Sequence, residues 1–258
     1  MMFYLGTHMP SWLDVAPYPL MVSHRRLAGR KTFPRALHPW VLDSGGFTEL
    51  NLHGADAYAE GARPYVAAAR RYADQIGKLD WAAPQDWMCE PFVLDKTGLT
   101  VADHQQRTTD NLLELRHAAP DLPWIPVLQG FAAADYLNHA DQYAAAGIDL
   151  TVEPTVGVGS VCRRQNTGEV AHILELVASL GIRLHGFGCK GDGLRTYAAH
   201  LTSADSMSWS FRARRDRTLP GCTGHKSCAN CLRYATRWRD RALQGTEYHQ
   251  PSIFEGAA

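Results

Sequence analysis

Five short apolar runs in this chain each end on a carboxylate, an amide or glycines, and no other feature constrains the fold as strongly. They are Val41-Leu42-Asp43-Ser44-Gly45-Gly46-Phe47, Trp81-Ala82-Ala83-Pro84-Gln85-Asp86, Ile125-Pro126-Val127-Leu128-Gln129-Gly130, Val156-Gly157-Val158-Gly159-Ser160 and Ser203-Ala204-Asp205-Ser206. Such a run reads as a buried strand that delivers its last polar residue to a rim, where glycines such as Gly45 and Gly46 let a ligand approach the backbone and Ser44 beside them is a candidate substrate contact. One isolated Asp-Ser-Gly-Gly is more often an acidic turn. Five endings of this kind favour one shared site.

Eight strands are predicted: Phe3 to Thr7, Leu20 to Ser23, Val41 to Asp43, Trp81 to Asp86, Ile125 to Gln129, Leu150 to Glu153 with a continuation toward Val158, Leu184 to Gly188, and Ala204 to Ser208. Amphipathic helical patterns cover Arg63 to Gln75, Ala102 to His117, Ala133 to Ala146, Glu169 to Leu180 and Leu194 to His200. In the fourth of these, Val170, Ile173, Leu174, Val177 and Leu180 keep the helical period, and Gly181 supplies the stop. Alternation of strand and helix implies a parallel sheet, and eight such strands in 258 residues match an α/β fold of the (β/α)₈ TIM-like barrel type. An open doubly wound sheet is the alternative. The barrel is preferred because polar strand ends would then converge on one face.

Residues 1–210 are assigned to the barrel and 211–258 to an appendage packed on it, made of a basic stretch, a cysteine cluster and a terminal helix over Cys231 to Leu243. Thr48 to Gly61 is longer than one connection needs and is expected as an irregular segment or extra helix over the mouth. Lys+Arg and Asp+Glu are equal at 26 each, so the whole molecule offers no strong field to nucleic acid, and any such contact must come from local patches. No apolar run reaches the roughly 20 residues that span a bilayer. The first residues lack a basic, apolar leader, so a cytoplasmic location is expected.

Three of the six cysteines fall close together, as Cys222-x2-His225-x2-Cys228-x2-Cys231. Thiolates and an imidazole in a tetrahedral set suit structural zinc, and four protein ligands leave no open position for catalysis. Cys228 and Cys231 are the firmest ligands. His249 in the tail is an alternative to Cys222 or His225. Reduced cysteines at a helix start, or a redox pair, would be the metal-free readings.

With these elements placed, the chain resembles the tRNA-guanine transglycosylase superfamily, and most closely its small 7-deazapurine DNA modification protein A family. The resemblance rests on Phe3-Tyr4-Leu5-Gly6-Thr7-His8, Leu42 to Phe47, Gln85-Asp86-Trp87, Pro126 to Gly130, Val156 to Ser160, Ala204-Asp205-Ser206 and the terminal cysteine cluster. Enzymes of this superfamily are zinc-containing (β/α)₈ barrels that exchange a guanine in a polynucleotide for a free 7-deazaguanine without breaking the backbone. The resemblance implies Asp205 as nucleophile, Asp43 as second carboxylate, Asp86 and Gln129 with Gly130 as base-recognition groups, and Gly157 to Gly159 as backbone contacts to the base. The tRNA enzymes carry an extra turn of sequence around the nucleophile and a Cys-x-Cys-x2-Cys…His metal pattern. This chain has neither, which favours DNA over tRNA and leaves the chemistry standing.

That chemistry accounts for the residue types. Retained configuration at a sugar carbon follows from double displacement, in which a carboxylate attacks and the incoming base then displaces it. The departing guanine needs a proton and the incoming base must lose one, a task for Asp43. Guanine N1–H and N2–H₂ are paired donors suited to Asp86, and an amide such as Gln129 can meet O6 or N7. A base must leave its stack to enter, so one of Trp87, Phe131 and Trp209 is expected as a stacking surface. Arg163, Arg164, Arg212, Arg214 and Arg215 are expected to contact phosphate. The expected partners are DNA, a free 7-deazaguanine with 7-cyano-7-deazaguanine first, and, by analogy, a second copy of the chain or accessory DNA-modification proteins. The rivals are the same exchange on tRNA, a non-catalytic nucleic-acid-binding barrel, and a hydrolase that uses water in place of the incoming base.

Overall fold

The computed structural model describes residues 1–162, 164, 168–189 and 191–244. Eight parallel strands occur in the order β4-β3-β2-β1-β8-β7-β6-β5: β1 Met2–Thr7, β2 Leu20–Ser23, β3 Trp40–Asp43, β4 Leu79–Ala82, β5 Val127–Leu128, β6 Val156–Val158, β7 Leu184–Gly186 and β8 Ser203–Ser206. The continuous ladder is open between β4 and β5. There the two edges meet through one isolated bridge, Ala82 to Trp124, with the Ile125 amide donating to the Ala82 carbonyl at 3.1 Å. The sheet is a curled, TIM-like barrel of the expected class with a weak seam.

Side-chain alternation sorts the strands into two layers. Phe3, Leu5, Leu20, Val22, Trp40, Leu42, Leu128, Val156, Val158, Leu184 and Ala204 face outward, into the main core shared with the helices. Tyr4, Met21, Val41, Trp81, Ala83 and Ile125 form a second, smaller cluster inside the barrel. The same parity turns Ser23, Asp43, Gln129, Gly159, Phe187 and Asp205 inward one step further along, at the C-terminal ends. The shared site therefore follows from a period of two.

The helices are α1 His24–Leu27, α2 Gly46–His53, α3 Ala62–Ile76, α4 Pro91–Thr97, α5 Val101–Ala118, α6 Ala133–Ala145, α7 Gly168–Ala178, α8 Gly191–Tyr197, α9 Ser208–Ala213 and α10 Leu232–Ala242. α3 buries Ala62, Tyr65, Ala69, Tyr72 and Ile76 on one stripe. α5 opens on a reciprocal capping box between Thr100 and Asp103.

Three sequence expectations are corrected. β6 lies at Val156–Val158 and not at residues 150–153, because Asp149 accepts from the Thr151 amide at 2.9 Å and from its hydroxyl at 2.7 Å, closing a turn that leaves Val152 exposed. β4 ends at Ala82, so Asp86 stands on an irregular segment beyond it, held by Gln85 and Asn111 exchanging hydrogen bonds of 2.8 and 3.0 Å. α7 stops at Ala178, leaving Leu180 outside the helix and exposed. The segment over the mouth is α2, as expected, joined by α4, which shares a small cluster of Leu50, Ala57, Trp87 and Val93.

Candidate active site and metal centre

Asp43, Asp86, Gln129, Gly159 and Asp205 meet in one cavity of about 640 Å³ at the C-terminal mouth, together with Gly45, Gly46 and Ser160. Gly45 has φ of 84°, a left-handed conformation that turns the chain from β3 directly into α2. A Cβ at Gly46 would stand 2.8 Å from the Tyr58 hydroxyl and 3.1 Å from the Asp86 carbonyl, so a bare backbone is needed there.

Asp86 is the hub of one side of the cavity. Its Oδ1 accepts from the Ser44 hydroxyl at 3.0 Å and its Oδ2 from Gln129 Nε2 at 2.5 Å. Gln129 Oε1 accepts from the Ser160 hydroxyl at 2.7 Å, and Ser160 Oγ accepts from the Cys89 amide at 2.7 Å. Burial first, and the neighbouring Asp43 second, push the Asp86 carboxyl up to about 7. Behind Gln129, His139 Nδ1 accepts the Gln129 amide at 2.9 Å and Gln105 donates to the Gln129 carbonyl at 2.7 Å. Burial lowers His139 to about 4, which keeps it neutral and able to accept.

The other side holds the acid pair. Asp205, 5% exposed at the end of β8, accepts the Gly188 amide on Oδ1 at 2.7 Å, with His185 Nε2 at 3.5 Å from the same oxygen. Burial raises Asp43, Asp205 adds to that, and hydrogen bonds from the Gly45 amide and the Ser23 hydroxyl oppose it. Both carboxylates thus accept a backbone amide, and Asp43 is pushed by burial toward keeping its proton.

Not every residue read from sequence reaches the cavity. Gly157 and Gly130 lie beside it, in close packing: a Cβ at Gly157 would meet Phe187 at 2.4 Å, and one at Gly130 would meet Asp135 at 2.7 Å. None of the three expected stacking rings lines it. Trp209 is fully buried against Trp12 and donates to the Gly6 carbonyl at 2.8 Å. Trp87 packs edge-on to His104 and Tyr58. Phe131 lies under the Arg164 guanidinium at 3.9 Å. The aromatic faces of the cavity are Phe47 and Phe187, with Met21, Met88 and Met207 around them. Sequence reading missed these because an apolar side chain after a strand looks like core.

Among the arginines, Arg163 lies outside the described residues, as does His249. Arg164 is tied to Glu169 and to the Phe131 carbonyl, which takes it out of a simple phosphate role. Arg212 pairs loosely with Asp216 at 3.7 Å, and Arg215 lies over the exposed Phe211. Arg214 is exposed and joins Arg26 in lowering His8, a cavity residue whose burial is the larger cause. Arg25 and Arg26, directly after β2, line the cavity and had no role in the sequence reading. Their signal was position alone, since β2 ends on Ser23 without an acid to mark it.

Downstream of α9, the Cys222, His225, Cys228 and Cys231 ligand atoms all lie within 4.8 Å of one another. Cys222 and Cys231 sulfurs are 3.9 Å apart, and His225 Nε2 is 3.3 Å from the Cys228 sulfur. Sulfurs about 2.3 Å from a tetrahedral zinc sit roughly 3.8 Å apart, so this set fits a metal ion of that size. Ser210 donates to the Ala229 carbonyl at 2.8 Å and Ser227 to the Ala213 carbonyl at 3.0 Å, which fasten the knot to α9.

No curated protein matches this chain. An L-rhamnonate dehydratase structure from Gibberella zeae is similar with 10% identity and a TM-score of 0.38, over 80% of this chain and 46% of that one, so this chain spans less than half of its length. No described helix is long and apolar enough to cross a membrane. Residues 1–256, which include every cavity residue and the Cys/His knot, match the family described as DpdA, DeoxyPurine in DNA protein A, and the chain therefore belongs to this family.

Proposed function

We propose that the protein replaces guanine in DNA by a free 7-deazaguanine, with 7-cyano-7-deazaguanine as the incoming base, by double displacement through Asp205. The observation that carries this reading is the division of one cavity into a recognition side, Asp86 with Gln129, and an acid side, Asp205 with Asp43.

In the first displacement, Asp205 Oδ2 attacks C1′ while Oδ1 stays on the Gly188 amide, and the C1′–N9 bond breaks with its electrons going to guanine. Asp43 supplies the proton that the leaving N9 needs; a carboxyl pushed up from its ordinary range is suited to that at neutral pH. In the second, Asp43 takes the N9 proton of the incoming base, N9 attacks C1′, and Asp205 departs as carboxylate. Protons and charge return to their starting values. Each Asp86 oxygen keeps a free lone pair for the N1–H and N2–H₂ donors of the base, and Gln129 keeps one N–H for O6.

Phe47 and Phe187 offer the base its faces, and Arg26 and Arg214 offer phosphate contacts at the mouth, where Arg25 is held by Glu49 at 3.0 Å. The Cys222, His225, Cys228 and Cys231 set holds a structural zinc that fastens α9 behind the nucleophile strand. The test is to incubate the protein with 7-cyano-7-deazaguanine and plasmid DNA or bulk tRNA, digest to nucleosides and analyse by mass spectrometry beside Asp205→Ala. A deazaguanine deoxynucleoside formed only by the unaltered protein is the expected result. A ribonucleoside product would transfer the reading to tRNA, and guanine release without incorporation would make the enzyme a hydrolase.

A further inference from the structure

Below the nucleophile, inside the barrel, lies a histidine to which the reaction as written gives no role. His185 is the inward residue of β7 and has no exposed surface. Its Nδ1 is 2.9 Å from the Ser203 hydroxyl, and its Nε2 is 3.5 Å from Asp205 Oδ1. That Nε2 has no hydrogen-bond partner among the described residues. Three rings hold the imidazole in place: Trp81 at 4.7 Å, Phe187 at 4.8 Å and Tyr4 at 6.0 Å. A buried polar nitrogen is costly unless it gains a partner, and an ionised carboxylate oxygen only accepts. Both are served when Nε2–H is directed at Oδ1, with the Ser203 hydroxyl completing the ring's bonding at Nδ1.

We propose that His185 is a positioning residue for Asp205: the carboxylate facing Nε2 calls for a proton on that nitrogen, and this N–H closes onto Oδ1 when substrate fills the cavity. The functional part rests on the reading of Asp205 as nucleophile. Separations longer than a hydrogen bond in an unliganded site commonly tighten in the reacting complex. The consequence differs between the two displacements. A donor on Oδ1 steadies the carboxylate and so assists its departure from C1′ in the second step. Removing the donor slows that step and leaves the sugar–Asp205 ester to accumulate.

Two measurements test this. The first needs no activity: ring ¹⁵N–¹H correlation spectra, with the His185 signals assigned by their loss in His185→Phe. The expected pattern is a proton on Nε2, with an Nε2 signal that moves in Asp205→Ala and an Nδ1 signal that moves in Ser203→Ala. An Nδ1–H tautomer, or signals indifferent to Asp205→Ala, overturns the proposal. The second compares variants in base exchange. His185→Phe keeps ring volume without a donor and is expected to lower kcat by about 10–100-fold, the worth of one hydrogen bond to a charged group, with KM for the free base nearly unchanged and a DNA–protein adduct visible on a denaturing gel. His185→Gln, which restores a donor, recovers most of kcat. Equal losses in both variants with no adduct, at unchanged melting temperature, overturn the proposal. If the unaltered protein exchanges no base while the spectra show the expected tautomer and coupling, the transglycosylase reading fails and the His185–Asp205 contact stands.

Discussion

At the scale of single residues, the site depends on a carboxyl held near the point of ionisation. In the proposed reading Asp86 accepts the guanine donors as the anion, and its pKa is raised to about 7. Affinity for the free base is therefore expected to be full above pH 8 and to fall by about tenfold per unit below pH 7, as one required ionisation dictates; isothermal titration across pH 5.5–8.5 reads it. The same shift acts on stability with the opposite sense. A carboxyl whose folded pKa lies above its unfolded value stabilises the fold below about pH 4 and loses that contribution as pH rises through about 7. Asp86→Asn is thus expected to melt a few degrees higher than the unaltered protein at pH 8, to show no gain at pH 4, and to lose about 10–100-fold in base affinity together with its pH dependence. Gly159 makes a second, steric prediction. A Cβ there would lie 2.3 Å from Gln129 Nε2 and 2.6 Å from its Cδ, so Gly159→Ala must swing a flexible amide away from Asp86. Base affinity should drop by roughly tenfold, one charged hydrogen bond, with a change in melting temperature of only a degree or two; a large loss of stability would show that the backbone moved instead.

At the scale of elements, the two sides of the cavity are built differently. The recognition side stands on a segment beyond β4 and on the end of β5, braced by α5 and α6 through Gln105 and His139. The side that carries Asp205, the proposed nucleophile, stands on β8, whose exit runs into α9 and the Cys/His knot. α10 completes this buttress: Tyr18 bonds Thr236 at 2.7 Å, and Tyr234 bonds Asp216 at 2.5 Å. Binding of a metal to such a set adds its free energy to folding. Chelation is expected to lower the melting temperature by roughly 10 °C and to speed hydrogen exchange first in α9 and α10, with β1 to β3 following only at global unfolding. Uniform exchange across the barrel on chelation would contradict the buttress. The cap over the mouth was half legible: the length between Asp43 and Trp81 announced α2, but α4, seven residues with a proline at its start, carries too little period to be seen.

At the scale of the whole molecule, barrel and appendage share one core. Tyr234, Ala235, Trp238, Ala242 and Leu243 belong to the same buried cluster as Phe3, Leu5 and Trp209. The division at residue 210 is therefore offered as one of sequence character, and a chain ending there is expected to expose this cluster, with circular dichroism showing no cooperative melt; a sharp melt would make residues 1–210 an independent domain. The strand count, the parallel order and the meeting of Asp43, Gln129 and Asp205 were legible in the sequence alone. Each follows from local periodicity, because alternation along a strand sets which face a residue takes, and parallel strands bring their C-terminal ends to one side. The cysteine spacing likewise announced the knot. Tertiary structure alone decided that Phe47 and Phe187 line the cavity while Trp209 is core, that Arg25 and Arg26 reach the mouth, and that Arg164 is spent on Phe131 and Glu169. It also decided that His185 sits behind Asp205. These are matters of which distant segments pack together and how much water they exclude, and a local pattern carries no information about either.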